Sequence, residues 1–182
     1  MMAPSPPSFR AAFERTLRLS QYVARVAAAR PEVVAELERG GARPVERAAI
    51  RAALAPGEGL ESRLRGVRAQ VMVTLAHRDL NGLAPLDEVF ATMTALAEEC
   101  LQAAAAEAQV RTAAVHGAPA GDAALVVAAL GKLGGCELNV SSDVDLVFLY
   151  GDEGDTAGPR VLSHREYFAA AGPATTRAFI HA

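Results

Sequence analysis

Leu130-Gly-Lys-Leu-Gly-Gly-Cys-Glu-Leu-Asn-Val-Ser-Ser-Asp-Val-Asp-Leu-Val-Phe-Leu-Tyr150 is the stretch on which the reading of this 182-residue chain turns. Its second half, Val144–Tyr150, is a short apolar run bounded by Ser141–Ser142 and Gly151, which is the composition of a β-strand. The run leading into the stretch, Ala124–Leu130, is of the same kind. Both are apolar at successive positions, which predicts strands covered on both faces. Asp143 and Asp145 stand two residues apart at the head of the second run. In an extended strand alternate side chains share a face, with Cα atoms ~6.6 Å apart, so both carboxylates can converge on one ion. Two acids that close repel each other, and a divalent cation removes that cost. Hard oxygen donors suit Mg²⁺, which also takes phosphate oxygens.

The surrounding residues supply the other parts of a phosphate site. Gly134 and Gly135 let the backbone approach a ligand, and nearby N–H groups can cradle phosphate. Ser141 and Ser142 place two hydroxyls just before the carboxylates. Lys132, the only lysine in the chain, can neutralise phosphate charge. A bare Asp-x-Asp carries little information by itself, and its bland reading is two acids at a solvated strand end. The Gly-Gly and Ser-Ser context and the apolar flanks, which would leave nearly buried acids needing partners, raise it to a candidate metal site.

Before residue 120 the pattern is helical. Ser8 is placed to cap a helix with apolar positions Phe9, Phe13, Leu17, Tyr22, Val23 and Val26. Pro31–Glu32 opens a second helix, and Gly40–Gly41 closes it by supplying a left-handed residue. A third short helix falls around Pro44–Leu54, followed by a turn at Pro56–Gly59. Leu60, Leu64, Val67, Val71 and Leu75 make one apolar stripe, with Arg63, Arg65, Arg68 and Arg78 off it. After Asn81–Gly82, Pro85 at a first helical position and Asp87–Glu88 in the first turn open a further helix, whose stripe runs from Leu86 to Leu101. Two long amphipathic helices joined by a short connection read as an antiparallel pair. Beyond the strands, Gly151–Pro159 is an acidic loop, and Ser163–His181 reads as a helix broken at Gly172–Pro173.

Composition bounds the class. The chain is 51% hydrophobic but 5% aromatic with no Trp, 21% charged and of net charge −3, the profile of an ordinary globular protein. Residues 1–80 hold 13 Arg against 8 acidic residues, whereas residues 81–182 hold 5 basic against 13 acidic. The arginines are dispersed through helical segments, so they read as a solvated helix face and no nucleic-acid partner is expected. Cys100 and Cys136 are far apart and have no neighbours at metal-ligand spacing, as in a reducing compartment. Met1–Pro7 lacks the features of a signal peptide. The longest apolar run, Ala123–Leu130, is far short of the ~20 residues a membrane helix needs. A cytoplasmic protein without a membrane partner is expected. His77 reads as a polar-face residue or dipole partner at a helix C-terminus. His116, His164 and His181 show no ligand spacing. Arg78–Asp79 is either a local ion pair or a brace between the helical and strand-bearing regions.

Gly131-Lys-Leu-Gly-Gly followed by Glu137-Leu-Asn-Val-Ser-Ser-Asp-Val-Asp-Leu-Val-Phe closely resembles the signature of the bifunctional glutamine synthetase adenylyltransferase/adenylyl-removing enzymes, of the polymerase-beta-like nucleotidyltransferase superfamily. Leu19-Ser-Gln-Tyr-Val-Ala and Arg78-Asp-Leu-Asn-Gly-Leu-Ala are also similar to that family, so the likeness runs from about residue 15 to 168. It implies an α+β fold: a helical N-terminal region over 1–118, then a partial polymerase-beta-like mixed sheet with helices over 119–182. It implies Asp143 and Asp145 as catalytic metal ligands for Mg²⁺, with Gly131, Lys132, Gly134, Gly135, Ser141 and Ser142 around the nucleotide and its phosphates. The Glu-Leu-Asn-Val-Ser-Ser form is similar to the family's N-terminal, adenylyl-removing copy. That copy implies phosphorolysis of an AMP–tyrosine bond on glutamine synthetase to give ADP, while the other copy uses ATP, with PII proteins as regulators. Cys136 stands where the family often has Arg or another polar residue. Family members continue to a strand bearing a third carboxylate, for which Asp152, Glu153, Asp155 and Glu166 are poor substitutes. The chain therefore reads as a truncated fragment, either a part of the enzyme or a silent remnant that only binds partners.

Overall fold

The computed structural model describes residues 8–121 and 123–180; Met1–Pro7 and His181 lie outside the described residues. Ser8 caps α1 (Phe9–Leu19) by accepting from the Ala11 N–H at 3.4 Å. The apolar series predicted as one helix is two. Ser20 is extended (φ −127°, ψ 105°), and its hydroxyl caps α2 (Gln21–Ala29). α3 (Pro31–Arg39) opens on its proline as expected. Gly40 stays right-handed, however, and the left-handed residues that close the helix are Gly41 (φ 64°) and Ala42 (φ 52°). α4 (Arg47–Ala53) is short, and the two long helices are α5 (Leu60–Leu80) and α6 (Leu86–His116), with Pro85 as the cap of α6 rather than its first residue.

The main core joins Leu64, Val71 and Leu75 of α5 to Met93, Leu96 and Leu101 of α6, with Ile50 of α4 beneath them. A second cluster sets Val23 of α2 and Val33 and Leu37 of α3 against Val73 on another face of α5. α5 is thus covered on two sides, and its sequence Val71–Leu75 is buried without interruption. A single apolar stripe cannot describe such a helix.

That double burial overturns two expectations from the sequence. His77 is 1% exposed, which removes the polar-face alternative, although it does stand in the last turn of α5. Its Nδ1 shares a 3.0 Å hydrogen bond with Thr16 Oγ1, to which Asn81 Nδ2 also donates at 3.0 Å, and the rings of Phe9 and Phe13 flank it. Burial lowers its pKa. Arg78 is buried as well and does not pair with Asp79. It grips the Glu88 carboxylate with Nε at 2.5 Å and Nη2 at 2.8 Å, and donates to the carbonyls of Ala42 and Leu83. The planar guanidinium thereby ties the end of α5 to the first turn of α6 and to the α3–α4 loop. The brace lies inside the helical region.

After α6 come β1 (Leu125–Leu130), the single turn α7 (Gly131–Gly134), β2 (Asp145–Tyr150) and α8 (His164–Ile180). The two strands pair antiparallel from Leu125↔Tyr150 to Leu130↔Asp145, and this is the sheet among the described residues, not a mixed one. One face packs on the helices. Ala129 and Leu146 meet the main core, Phe148 sits against Gly172 of α8, and Tyr150 stacks on Phe168 at 5.4 Å. The other face, with Val126, Leu130, Val147 and Leu149, is exposed, which corrects the expectation of strands covered on both sides. α8 continues through Gly172–Pro173 instead of breaking. The carbonyl that a proline leaves unpaired there belongs to the exposed Ala169, which water can serve, and Thr175 and Thr176 hydroxyls donate to the carbonyls of Ala171 and Gly172. α8 is seated on α6, where the Tyr167 hydroxyl donates to the Gln109 carbonyl at 3.0 Å.

Two predictions follow from this packing. Glu99 is buried on α6 and accepts from Arg47 at 2.6 Å and from Arg51 at 2.9 and 3.0 Å. The Arg51 hydrogen bond, helped by Arg47, holds its carboxyl below its ordinary 4.5 in spite of burial. A depressed folded pKa contributes stability above the unfolded value that is lost as pH falls through the folded one. Thermal melts should therefore show a deficit for Glu99→Gln at pH 7 that shrinks below about pH 4.5; a constant offset across that range would refute the pairing. The second concerns the turn after β1. A Cβ at Gly134 would lie 2.5 Å from the Ala129 carbonyl oxygen, whereas at Gly135 the nearest atom would be 3.5 Å away. Gly134→Ala should cost about 1–3 kcal/mol in denaturant melts, and Gly135→Ala less than about 0.5 kcal/mol.

Candidate metal and phosphate site

The last pair of the ladder, Leu130 opposite Asp145, sets the site. β1 ends there because Gly131 turns the chain with φ 56°, in the left-handed region that glycine enters freely. The Asp145 carboxylate lies against this turn, its Oδ2 3.4 Å from where a Gly131 Cβ would stand. Asp145 is the first residue of β2 and shares the exposed face with Val147 and Leu149.

Asp143 is not in the strand. Once β1 has turned away at Gly131, position 143 has no partner in the ladder, so the two carboxylates are not fixed on one face by strand pairing. Asp143 follows a side-chain-locked turn instead. Ser142 Oγ donates to Asn139 Oδ1 at 2.8 Å, the Asn139 N–H donates back to Ser142 Oγ at 3.3 Å, and the Ser141 N–H donates to Asn139 Oδ1 at 3.1 Å. The Ser142 hydroxyl is thus engaged by the turn, while the exposed Ser141 supplies its backbone N–H to it. Asn139 was not singled out by sequence reasoning, although Asn at the head of Asn-Val-Ser-Ser is a side-chain turn signal.

The segment between the strands is anchored from below. Leu133 and Leu138, 2% and 3% exposed, enter the main core, while Lys132, Gly134, Gly135 and Cys136 remain at the surface. Gly134 has an internal reason to be glycine, the close approach of Ala129, so its lack of a side chain is not needed for a ligand. Cys136 is exposed, in a loop position with φ 57°. Glu166 is engaged by Ser163, whose N–H and hydroxyl donate to it at 3.0 and 2.8 Å. His164 is buried, with Nδ1 2.8 Å from the Asp152 carbonyl, and His116 Nδ1 lies 3.3 Å from the Arg160 carbonyl, so both are structural.

The donor set fits a hard divalent cation in kind. Asp143 and Asp145 are exposed, not nearly buried as their apolar flanks suggest, and neither oxygen donor has an ion-pair or hydrogen-bond partner among the described residues. It is a minimal set: among the described residues no group of three or more His, Cys, Asp or Glu could hold a metal ion. Two carboxylates leave most of a coordination sphere to water and substrate oxygens, as Mg²⁺ prefers.

Comparison with known proteins bears on the whole chain. Residues 11–180 match the family model described as glutamate-ammonia ligase adenylyltransferase. A bifunctional glutamine synthetase adenylyltransferase/adenylyl-removing enzyme of Ralstonia nicotianae is 44% identical over 172 residues, covering 86% of this chain and 18% of the relative. Proteins of the same description from Burkholderia mallei and Bordetella pertussis are 42% and 40% identical, covering 86% and 92% of this chain and 19% of each relative. The chain therefore spans about a fifth of the length of the curated relatives it matches. Among the described residues, no helix is long and apolar enough to cross a membrane. A match over nearly all of the chain, at 40–44% identity, makes it a member of the glutamate-ammonia ligase adenylyltransferase family.

Proposed function

We propose that this chain carries the carboxylate-bearing part of a divalent-cation-dependent nucleotidyltransferase site that acts on glutamine synthetase in the adenylyl-removing direction. The observation that carries the proposal is the delivery of Asp145, at the end of the β1–β2 ladder, to the Gly131 turn, with Asp143 exposed two residues before it. In this reading Asp143 and Asp145 hold Mg²⁺, which supplies charge stabilisation at the transferring phosphoryl group. Lys132 and the backbone around Gly131, Gly134 and Gly135 bind the nucleotide and phosphate, and Ser141 and Ser142 shape the approach to the carboxylates. Phosphate then displaces AMP from a tyrosine oxygen, so the products are ADP and unmodified tyrosine. The partners are glutamine synthetase, ATP or ADP, phosphate and, as regulator, a PII protein, in the cytoplasm.

Residues 1–118 form the helical region in this account, and 119–182 an incomplete catalytic domain of polymerase-beta-like type. The end of α6 at His116 and the start of β1 at Leu125 support that boundary. The two-carboxylate donor set also favours a second reading, in which the chain alone binds partners without turnover.

The test is to incubate the full chain with adenylylated glutamine synthetase, phosphate and Mg²⁺ and to measure ADP. The proposal expects Mg²⁺-dependent release that falls by about 100-fold or more in Asp143→Asn and in Asp145→Asn, the scale on which lost electrostatic stabilisation acts. Release indifferent to both substitutions would overturn the assignment of the carboxylates. AMP incorporation from ATP, without ADP release, would reverse the direction. Binding of glutamine synthetase without turnover would establish the second reading.

A further inference from the structure

A cavity of about 440 Å³ lies on the opposite side of β2 from the Asp145 carboxylate, enclosed by α5, α6, α8 and the Asn139–Leu146 segment. Alternation along the strand fixes that geometry. Leu146 points inward and lines the cavity with Val144, whereas Asp145 is on the exposed face. The cavity is therefore not an extension of the proposed phosphate site. Only its mouth is shared, where Asp143 and Ser142 form part of the rim.

Its chemistry is specific. Its lining includes the buried Met72, Met93 and Cys100, taken here as its floor. Met72 and Met93, the two methionines among the described residues, both line this space. Thioether and thiol sulfurs are polarisable, adapt to a guest and make favourable contacts with aromatic rings. Burial pushes the Cys100 thiol up to about 12, so the floor is neutral. The volume falls in the range of small-molecule pockets and the lining is largely apolar. At the rim stands Arg68, exposed and without an ion-pair or hydrogen-bond partner among the described residues. One guanidinium matches one carboxylate, and Asp143 at the same mouth opposes a more highly charged anion.

We propose that this cavity binds an aromatic monocarboxylate, with the ring on the Met72–Met93–Cys100 floor and the carboxylate on Arg68. The guest would touch the turn of Asn139 and Ser142 from behind and so bias the position of Asp143. That coupling to chemistry rests on the functional reading above; the binding itself does not.

The absence of Trp makes the test direct, because an indole probe fluoresces against three tyrosines. Indole-3-acetate added to the full chain should show a saturable blue shift in emission and move the amide NMR signals of Asn139–Val144. Arg68→Gln, at an exposed position, should weaken indole-3-acetate by at least about tenfold while leaving the neutral 3-methylindole unchanged. Ala97→Phe, which fills the cavity, should abolish both. Asp145→Asn should leave indole-3-acetate binding intact, so failure of the nucleotidyltransferase reading and failure of this one are separable. Absence of saturable binding, equal affinity in Arg68→Gln, or shifts confined to the outer face of β2 would overturn the proposal.

Discussion

The pairing of Leu130 with Asp145 is the constraint on which the candidate site depends. An antiparallel ladder admits no slip of one residue without turning every side chain to the other face. Here the inward set is Val127, Ala129, Leu146 and Phe148, and the outward set includes Asp145. Slipping the register would place a carboxylate against the helices and Leu146 in water. Burial of the inner face against α6 and α8 thus holds the acid at the surface, and the Gly131 turn holds it at the end of the ladder.

That ladder is only two strands, which are marginal without support. The support comes from the helical region. Leu133 and Leu138 penetrate the core made by α4, α5 and α6, pinning the segment between the strands at two points while leaving its backbone at the surface. α5 and α6 are in turn fixed to each other by the Arg78–Glu88 fork, and α4 to α6 by Glu99 with Arg47 and Arg51.

Much of this was legible in the sequence, and most of the exceptions share a cause. Apart from Gly40, Pro85 and Gly172–Pro173, where the helices end, begin or continue otherwise than expected, local signals were reliable: Ser8 as a cap, Pro31 as a helix start, and the two strands to within a residue of their ends. Patterns that depend on what packs alongside were not. The run from Val71 to Arg78 reads as a one-sided helix, yet a second layer of helices buries His77 and Arg78 too. Ser20 looks like one polar position in a helical series, and only its extended backbone makes it a cap. The strands read as covered on both faces because their composition is uniformly apolar, but the described residues cover one face. In the site, the residue types and their nearness in sequence were visible, whereas the end of the ladder at Asp145 was not. That end depends on Gly131 turning the partner strand away, a long-range fact of pairing that spacing between Asp143 and Asp145 does not contain.

The central proposal is that Asp145, held at the ladder end, and Asp143, on the turn before it, bind one divalent cation. The most direct measurement is a Mn²⁺ titration of the uniformly ¹⁵N-labelled chain, following paramagnetic broadening of amide signals. The account predicts broadening that begins at Gly131–Gly135 and Ser141–Asp145 and spares Leu125 and Tyr150 at the far end of the ladder. Broadening centred on the acidic loop of Asp152, Glu153 and Asp155, with Gly131 and Asp145 unaffected, would contradict it.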